Sequence, residues 1–396
     1  MKILMVNDYG RLQGGAEILL FQLREAFRKL GHDARLFTSD AGDVDAANVA
    51  DYTCFGTTSR FRTLLQSANP WAARGLSRVV AEFQPDVVHV KMFLSQLSPL
   101  ILPVLRNIPA VYHVVWYRPI CPLGTKMLPN RSRCEWPPGL ICHRTGCLRW
   151  RDWFPLMCQM KLWRRWQNVF DLIVANSSAV RQRLLAEGIG PVEVISNGLE
   201  VSEPRPSAPT IPTIAFAGRL VREKGVDVLL RAFAIVRKQI PNARLVICGD
   251  GPERASIADL IGTLGVGDAV SMLAFLPVDE VIKVFRNASV VAIPSIWEEP
   301  FGQVAIEAMM NGLPVVASNG GGLKDIIAHE QTGLLVPPGD ANALATALLR
   351  ILSDPQSAAI MGRAAHHRAA AHFSETQLVE GFLKIYRSIC PAPKNS

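Results

Sequence analysis

Short β-rich runs alternate with helical patterns along both halves of this 396-residue chain, and this alternation constrains the fold more than any other feature. The expected strands fall near residues 2–6, 34–38, 86–90, 110–115, 171–175 and 193–196, and then near 213–217, 244–248, 290–294 and 314–318. Helices are expected near 17–30, 226–239, 302–311 and 341–352. Such alternation is typical of parallel sheets joined by crossover helices. Because the chain is too long for one ordinary core, we expect an α/β protein of two domains.

The stretch Glu200–Pro212 marks the expected border between the two domains. It is rich in proline and serine and lacks apolar periodicity, which is typical of a linker. An N-terminal domain would span residues 1–200, with an unusual insert at about 118–170. A second domain would span 213–373, and residues 374–396 would form a C-terminal helix and tail.

Charge and hydropathy restrict the partners and the location. The chain carries 42 basic and 34 acidic side chains, a net charge of +8, which favours anionic partners. It has no signature of a nucleic-acid-binding motif, so we expect no nucleic acid among its partners. The N-terminal apolar run ends at Asn7 and is too short for a signal peptide, and no stretch approaches about 20 apolar residues. We therefore expect a cytoplasmic protein. Peripheral contact with the inner face of a membrane is compatible with that location.

The most informative motif lies between a predicted strand and a predicted helix, from Ser295 to Met309. Pro300 and Gly302 indicate a tight turn, and the helix begins just after it. Glu299 then lies in the loop and Glu307 in the helix, where each carboxylate could accept hydrogen bonds from sugar hydroxyls. The helix N-terminus between them offers backbone N–H groups and a positive dipole to an anion. The alternative is that both glutamates are ordinary solvated carboxylates.

A second motif follows another predicted strand, in the segment Phe216–Gly225. Arg219 and Lys224 lie in the loop before the next helix. Two fixed cations can stabilise the negative charge that develops on a departing nucleoside diphosphate without a metal ion. The alternative is a solvated basic loop.

Three glycine-rich turns complete the set of motifs. Gly14 and Gly15 precede a predicted helix, Gly251 lies in the turn Gly249–Pro252, and Gly320–Gly322 precedes Asp325. Glycines allow backbone N–H groups to approach a phosphate closely, but each turn alone is a weak signal. None is a G-x-G-x-x-G sequence, so a nicotinamide cofactor is not indicated.

Together these motifs resemble those of the retaining GT-B glycosyltransferases of glycosyltransferase family four, also described as glycosyl transferases group 1. The matching segments are Gly14–Glu17, Val194–Glu200, Gly218–Gly225, Gly249–Pro252 and Glu299–Glu307. The resemblance extends over most of the chain and is most specific in the second half. It implies two Rossmann-like domains facing across a cleft, with a helix near Glu375–Ile389 crossing back to the N-terminal domain.

The resemblance also implies roles for matched residues. Arg219 and Lys224 would hold the diphosphate, Glu307 the ribose hydroxyls, and Glu299 the transferred sugar. His113, near a strand end, matches the family's N-domain histidine beside the reacting sugar. The remaining donor contacts would come from Gly14, Gly15, Gly251, Phe301, Gly302 and Gln303.

The activity implied is transfer of a sugar, with retention, from a nucleotide-diphosphate sugar to a glycan or lipid-linked acceptor. The donor would be a UDP- or GDP-sugar, and no metal or other cofactor is required. An epimerase or hydrolase on the same fold and a non-catalytic nucleotide-sugar-binding protein are the alternatives. The loop Met272–Pro277 lacks the glycine frequent in the family's base-binding loop, and Asp325 replaces its usual glutamate.

The insert at 118–170 is not explained by the donor motifs. It contains Cys121, Cys134, Cys142 and Cys147 without a C-x-x-C pair, so free thiols are favoured. A structural zinc site is the alternative. The segment Leu148–Trp166 then interleaves tryptophan with arginine and lysine. This composition suits a membrane interface, but a partly buried helix with packed tryptophan rings is the alternative.

Overall fold

A computed structural model describes residues 1–11, 14–42, 47–59, 62–205 and 209–390. The chain divides into two compact units. The first contains residues 1–196 together with the chain from Leu378 onward, and the second contains residues 197–377. Each unit is an α/β layer structure on its own parallel sheet, so the expected fold class is confirmed.

The first unit is built on a seven-stranded sheet with the strand order β3-β2-β1-β4-β5-β6-β7. Its strands are β1 (Lys2–Tyr9), β2 (Asp33–Ser39), β3 (Tyr52–Cys54), β4 (Val87–Val90), β5 (Ala110–Val114), β6 (Leu172–Ala175) and β7 (Val192–Val194). All pairings are parallel. The central strands are rich in valine and isoleucine and are buried on both faces, as parallel sheets require.

Helices of the first unit cover that sheet. They are α1 (Gly15–Lys29), α2 (Arg62–Ser67), α3 (Pro70–Phe83), α4 (Ile141–Arg144), α5 (Trp150–Trp166) and α6 (Ser178–Ala186). Leu19, Leu23 and Phe27 recur at helical spacing along α1 and are buried in the core. Helix α3 begins at Pro70, where the Asn69 side chain accepts a hydrogen bond from the Ala72 N–H.

The second unit has a six-stranded sheet with the strand order β10-β9-β8-β11-β12-β13. Its strands are β8 (Thr213–Ala217), β9 (Arg244–Cys248), β10 (Val270–Leu273), β11 (Val290–Ile293), β12 (Val315–Ser318) and β13 (Gly333–Val336). Its helices are α7 (Val226–Gln239), α8 (Arg254–Leu264), α9 (Val278–Arg286), α10 (Gln303–Met310), α11 (Leu323–Ile326), α12 (Ala341–Ser353) and α13 (Pro355–His372).

The final helix, α14 (Glu375–Ile389), returns the chain to the first unit. Its Phe382 and Tyr386 side chains are fully buried, and they pack against the ring of His89. The predicted bounds of this helix and its return are confirmed. Burial of the apolar face of α14 stabilises this return, since each fully buried side chain such as Phe382 contributes about 1.5–3 kcal/mol.

Three strands, β3, β10 and β13, were missed by the sequence prediction. Each has only three or four residues and lies at an edge of its sheet. An edge strand has one neighbouring strand, so its apolar pattern is weaker than that of a central strand. Met272 and Leu273 were expected in a loop, but they are the last two residues of β10.

Residues 200–205 and 209–212 contain neither helix nor strand, as expected of a linker. They are nevertheless anchored on the second unit, where Arg205 donates to the Ala288 carbonyl and Ser202 to the Met310 carbonyl. Among the described helices, none is both long and apolar enough to cross a bilayer.

Candidate active site

The second sheet places two predicted site residues at its topological switch point. The chain runs from β8 toward β9 on one side and continues with β11 on the other, so the loops after β8 and β11 diverge at the carboxyl edge. Ligands of open α/β sheets bind at this position. Lys224 follows β8 and Glu299 follows β11, and the Lys224 ammonium lies 2.5 Å from a Glu299 carboxylate oxygen.

Two further donors hold the Glu299 carboxylate. Its other oxygen accepts hydrogen bonds from the Ser295 hydroxyl at 2.8 Å and from the Trp297 indole N–H at 2.6 Å. The Lys224 ammonium also lies 5.7 Å from the centre of the Trp297 ring. With the Lys224 bond, both oxygens of this buried carboxylate are engaged, so its position is fixed before any ligand binds.

Two glycines bring the loops close enough for that pair to form. Gly225 has φ +65°, and a Cβ atom there would lie 2.2 Å from the Pro294 carbonyl oxygen in the loop after β11. Gly321 has φ +60°, and its Cβ would meet the Glu299 backbone oxygen at 2.0 Å. A side chain at either position would push the loops apart. The glycines at 320–322 therefore allow their loop to pack directly against the backbone of Glu299.

The loops after β8 and β9 also join. Leu220 donates its backbone N–H to the Asp250 carbonyl, and Glu253 donates to the Leu220 carbonyl. Gly251 lies in this junction. The Arg219 side chain is exposed, and no hydrogen bond or ion pair is found for it among the described residues. A cation without a protein partner beside the switch point is available to an anion.

The second carboxylate, Glu307, lies on α10 in a different environment. No side-chain partner is found for it within the described part of the chain, and desolvation raises its pKa to about 7. Its residue is only partly covered, so the carboxylate lies in a recess that water still reaches. An unpartnered carboxylate in a recess is suited to accept hydrogen bonds from ligand hydroxyls.

The start of α10 contains the other predicted contacts of this motif. Gly302 precedes the helix with φ +111°, and the Gln303 side-chain oxygen accepts a hydrogen bond from Asn197 at 3.2 Å. The Phe301 ring is buried and packs on Phe373, so that residue can offer only its backbone to a ligand. Helix N-termini have free N–H groups that bind anions.

The first unit has its own switch point, between β1 and β4. Gly14 and Gly15 lead from the loop after β1 into α1, and Glu17 lies in the first turn of that helix. Lys91 directly follows β4, is almost fully buried, and donates a hydrogen bond to the Ala16 carbonyl at 2.7 Å. Burial raises the pKa of Glu17 and lowers that of Lys91, while the charge of Glu17 opposes the lowering at Lys91.

His113 lies inside the first unit's core rather than at the exposed end of its strand. It is fully buried on β5, and its ring packs on Phe382 of α14 and on His89. Neither ring nitrogen has a hydrogen-bond partner among the residues that the structure describes, and burial holds the pKa of His113 well below the ordinary range. The ring is therefore neutral, and its predicted contact with a reacting sugar stays a prediction.

All eight cysteines are free thiols. Four of the five cysteines of the insert, Cys121, Cys134, Cys142 and Cys147, line one small apolar cavity of about 20 Å³. Burial raises the pKa of Cys134 and of Cys142. No group of three or more potential ligands with a geometry for a metal ion is found among the described residues.

The tryptophans of α5 divide between interior and surface. Trp163 is fully buried and donates to the Pro119 carbonyl, and Trp153 donates to the Gly139 carbonyl. Trp150 is exposed and packs on the His143 ring at 4.1 Å between centroids. Part of this segment is therefore a packed helix, as in the alternative interpretation.

Comparison with protein families agrees with this architecture. Residues 13–203 match the model described as Glycosyltransferase Family 4, and residues 200–368 match the model described as Glycosyl transferases group 1. The two matches together extend over both units. The chain therefore belongs to glycosyltransferase family 4.

Individual relatives match a part of their own length. An uncharacterized glycosyltransferase of Methanocaldococcus jannaschii is 45% identical over 141 residues, 36% of each chain. A D-inositol 3-phosphate glycosyltransferase of Saccharomonospora viridis is 35% identical over 245 residues, 56% of each chain. The matched segments thus span between about a third and just over half of these relatives.

Solved structures share the fold over nearly the whole chain. Sucrose-phosphate synthase from Thermosynechococcus elongatus has a TM-score of 0.74 at 24% identity, with 98% of each chain covered. The Anabaena protein HepE, solved in complex with UDP-glucose, has a TM-score of 0.71 at 21% identity, with 98% of this chain and 100% of that chain covered. At these identities the likeness shows the GT-B fold alone.

Three residues that hold the site were missed by the sequence prediction. Ser295 and Trp297 bind Glu299, and Arg254 donates to the carbonyls of Gly249 and Leu273, which joins the ends of β9 and β10. Only their positions after strand ends could have indicated them, since the carboxyl edge of a parallel sheet is where site residues collect.

Proposed function

We propose that this chain is a retaining glycosyltransferase that moves a hexosyl group from a nucleotide-diphosphate sugar to an acceptor hydroxyl. The observation that carries the proposal is the Lys224–Glu299 pair at the switch point of the second sheet. Around it lie an exposed cation at Arg219, an unpartnered carboxylate at Glu307 and a helix N-terminus. This set matches the charges of a nucleotide sugar: cations for the diphosphate and carboxylates for hydroxyl groups.

The residues would divide the donor between them. Arg219, Lys224 and the N-terminus of α10 would hold the diphosphate, and Glu307 would accept hydrogen bonds from the ribose. Glu299, held by Ser295 and Trp297, would bind hydroxyls of the transferred sugar. The Lys224–Glu299 contact keeps both charges compensated until the donor arrives, when the ammonium can turn to the phosphate.

The chemical step would be a front-side displacement. The bond between the anomeric carbon and the phosphate oxygen breaks, and its electron pair stays on the phosphate. The acceptor oxygen bonds to the same face of the anomeric carbon, and its proton passes to the departing phosphate. Arg219 and Lys224 would stabilise the charge that develops there, so neither a protein base nor a metal ion is required.

A UDP- or GDP-sugar is the proposed donor, and the UDP-glucose bound by a structural neighbour makes the uridine series the first to test. The acceptor proposed is a glycan or a lipid-linked sugar. Because some relatives are D-inositol 3-phosphate glycosyltransferases, a phosphate-bearing polyol belongs in the same screen.

The test is a thermal-shift screen of nucleotide sugars, followed by incubation with acceptors and mass spectrometry of the products. Transfer with retention, assigned from the anomeric proton coupling, is the expected result. Release of free sugar alone would indicate a hydrolase, an epimerised nucleotide sugar would indicate an epimerase, and binding without any product would indicate a non-catalytic protein. Each of these three outcomes contradicts the proposal.

Metal dependence is tested in the same assay. Turnover should persist in EDTA, because the charges that would face the diphosphate come from Arg219 and Lys224. Activity that is lost in EDTA and restored by Mg²⁺ or Mn²⁺ would contradict this part of the mechanism.

A further inference from the structure

Large apolar side chains are exposed together on the first unit, where α2, the start of α3 and the first turns of α5 meet. Phe154 is 67% exposed, Leu64 61%, Trp71 52% and Phe55 48%. We call these four residues the apolar patch. They line one groove of about 620 Å³, and the rings of Phe55 and Trp71 contact each other at 5.3 Å between centroids.

A single exposed leucine needs no explanation, but a contiguous patch of this kind usually marks an interaction surface. The interior cannot absorb it, because the opposite face of α5 is already packed. Trp163 is fully buried there, and the buried Gln159 donates to the Leu94 carbonyl. The helix is thus fixed with Phe154 pointing to solvent.

Basic side chains border the apolar patch on both helices. On α5 the exposed residues Arg151, Phe154, Cys158, Lys161 and Arg165 recur at intervals of three and four, so they form one stripe. On α3, Arg74 and Arg78 are exposed and share the helical face of Trp71. The basic residues therefore lie outside the groove lining itself, on the same helical faces of α3 and α5 as Trp71 and Phe154.

Acidic side chains on the same helices offset only part of this charge, since the exposed residues Arg74, Arg78, Lys161 and Arg165 outnumber them. Asp152 on α5 is engaged by the Thr63 hydroxyl at 3.2 Å and by Arg151 at 3.6 Å. Glu82 lies near the far end of α3 from Trp71. An apolar centre with a cationic rim complements a surface that is anionic outside and apolar beneath, which describes a bilayer of anionic lipids.

We propose that the apolar patch docks this protein on an anionic membrane, with Phe154, Leu64 and Trp71 entering the interface and the arginines of α3 and α5 facing the headgroups. The proposed entering residues are not the tryptophans of the Leu148–Trp166 segment, because Trp163 is buried, Trp153 and Trp166 are partly buried and the exposed Trp150 ring packs on His143. The proposal rests on the proposed function only where it concerns access to a lipid-linked acceptor.

The experiment is co-sedimentation of the full chain with sucrose-loaded vesicles of phosphatidylcholine alone or with phosphatidylglycerol. Binding should rise with the anionic fraction and fall with added salt. Arg151→Gln/Lys161→Gln should weaken partitioning about tenfold, since each basic residue near an anionic surface strengthens it roughly fivefold before allowance for distance. Phe154→Ser/Trp71→Ser should weaken it by a similar factor.

Matched controls lie on the second unit. Ile360→Ser removes an equally exposed apolar residue, and Lys238→Gln/Arg363→Gln removes two exposed charges. Both should bind vesicles like the unchanged protein. Thermal melts of all variants check folding, and transfer to a soluble acceptor checks that the donor site is intact.

Three results would overturn the docking proposal. They are equal binding to neutral and anionic vesicles, equal loss in the second-unit controls, and a dimer in light scattering that Phe154→Ser dissolves, which would assign the patch to a second copy of the chain. Because vesicle binding needs no donor, its failure leaves the transferase proposal untouched. Failure of transfer likewise leaves the docking result interpretable.

Discussion

Both sheets have a lysine and a glutamate in the loops at their switch points, but the surroundings of the two pairs differ. In the second unit, Lys224 and Glu299 contact each other at 2.5 Å, with side-chain exposures of 22% and 8%. In the first unit, Lys91 and Glu17 are 1% and 4% exposed, and Lys91 gives its hydrogen bond to a backbone carbonyl. As whole residues the two glutamates are similarly buried, at 6% for Glu299 and 4% for Glu17, so the difference lies in the lysines: Lys224 is partly exposed and Lys91 is enclosed by protein.

This difference indicates what a charge pair does at a switch point. A pair that water still reaches can exchange its partner for a phosphate or a hydroxyl at modest cost. An enclosed pair cannot, because no ligand reaches it. Lys91 bonds to the Ala16 carbonyl, and the charge of Glu17 favours its ionised form without a direct ion pair among the described residues. We therefore expect changes at Lys224 and Glu299 to alter turnover, and changes at Lys91 and Glu17 to alter stability.

The largest effect is expected in the enclosed pair. Glu17→Gln leaves the buried Lys91 without the nearby negative charge of Glu17 and should lower the free energy of unfolding by up to about 3–5 kcal/mol, the cost of leaving a buried charge uncompensated. Burial already lowers the pKa of Lys91 in the folded protein. Between that pKa and about pH 10, the unfolded chain carries a proton on Lys91 that the folded protein has lost. Stability of the variant should therefore rise with pH in that window. Urea denaturation at several pH values measures both effects.

The matched control is the double variant Glu17→Gln/Lys91→Met, which removes both charges and should recover much of the loss. If the single and double variants are equally unstable, the two residues do not compensate each other. Substrate turnover of the surviving folded fraction should change little, as the comparison requires.

The open pair should show the reverse behaviour. Lys224→Ala should lower kcat by a hundredfold or more, since a lost contact to charge developing in the transition state costs about 3–4 kcal/mol. Its melting temperature should stay close to that of the unchanged protein. Steady-state kinetics and a thermal melt of the same preparation decide between the two effects, and normal kcat with a large loss of stability would reverse the comparison.

A smaller effect is expected at Trp297. Trp297→Phe keeps a ring beside Lys224 but removes the N–H that binds Glu299, and a hydrogen bond to a charged group contributes about 1.5–3 kcal/mol. We expect kcat to fall at least tenfold with little change in KM. Trp150→Phe, at an exposed tryptophan of the first unit, is the control and should have unchanged kinetics.

The smallest effect concerns the pH dependence at Glu307. Its pKa is raised to about 7 by desolvation, and in the proposed site the ribose hydroxyls would bind the ionised form. The nucleotide complex therefore holds fewer protons than the free protein below pH 7, and binding should tighten as pH rises from 6 to 7, by no more than about tenfold. Calorimetric titration with UDP and GDP measures this. Glu307→Ala should bind more weakly at every pH, and Glu307→Gln should lose that part of the pH dependence.

Much of the candidate site in the second unit was predictable from local sequence. Lys224 and Glu299 were both assigned to one site, because strand ends, tight turns and charged residues follow each other in the chain. Their direct contact was not predicted. It depends on the order β8-β11 in the sheet, which joins loops that are 75 residues apart in sequence.

The first unit was less predictable, and His113 shows why. A histidine near the end of a β-rich run has the same local pattern whether its side chain faces a site or the core. Its neighbours Phe382 and His89 come from α14 and β4, and no local pattern encodes that meeting. The same reason explains α5, where the composition is uniform but only some tryptophans are packed.

The sequence by itself determined the class of the fold and the chemical types present at the second switch point, because periodicity and turn residues act locally, while the return of α14 was implied by the family resemblance. Only the tertiary structure decided which charged pair stays open, which histidine becomes core and which apolar side chains of α2, α3 and α5 are left exposed. Those outcomes depend on burial, and burial is set by contacts between residues that are distant along the chain.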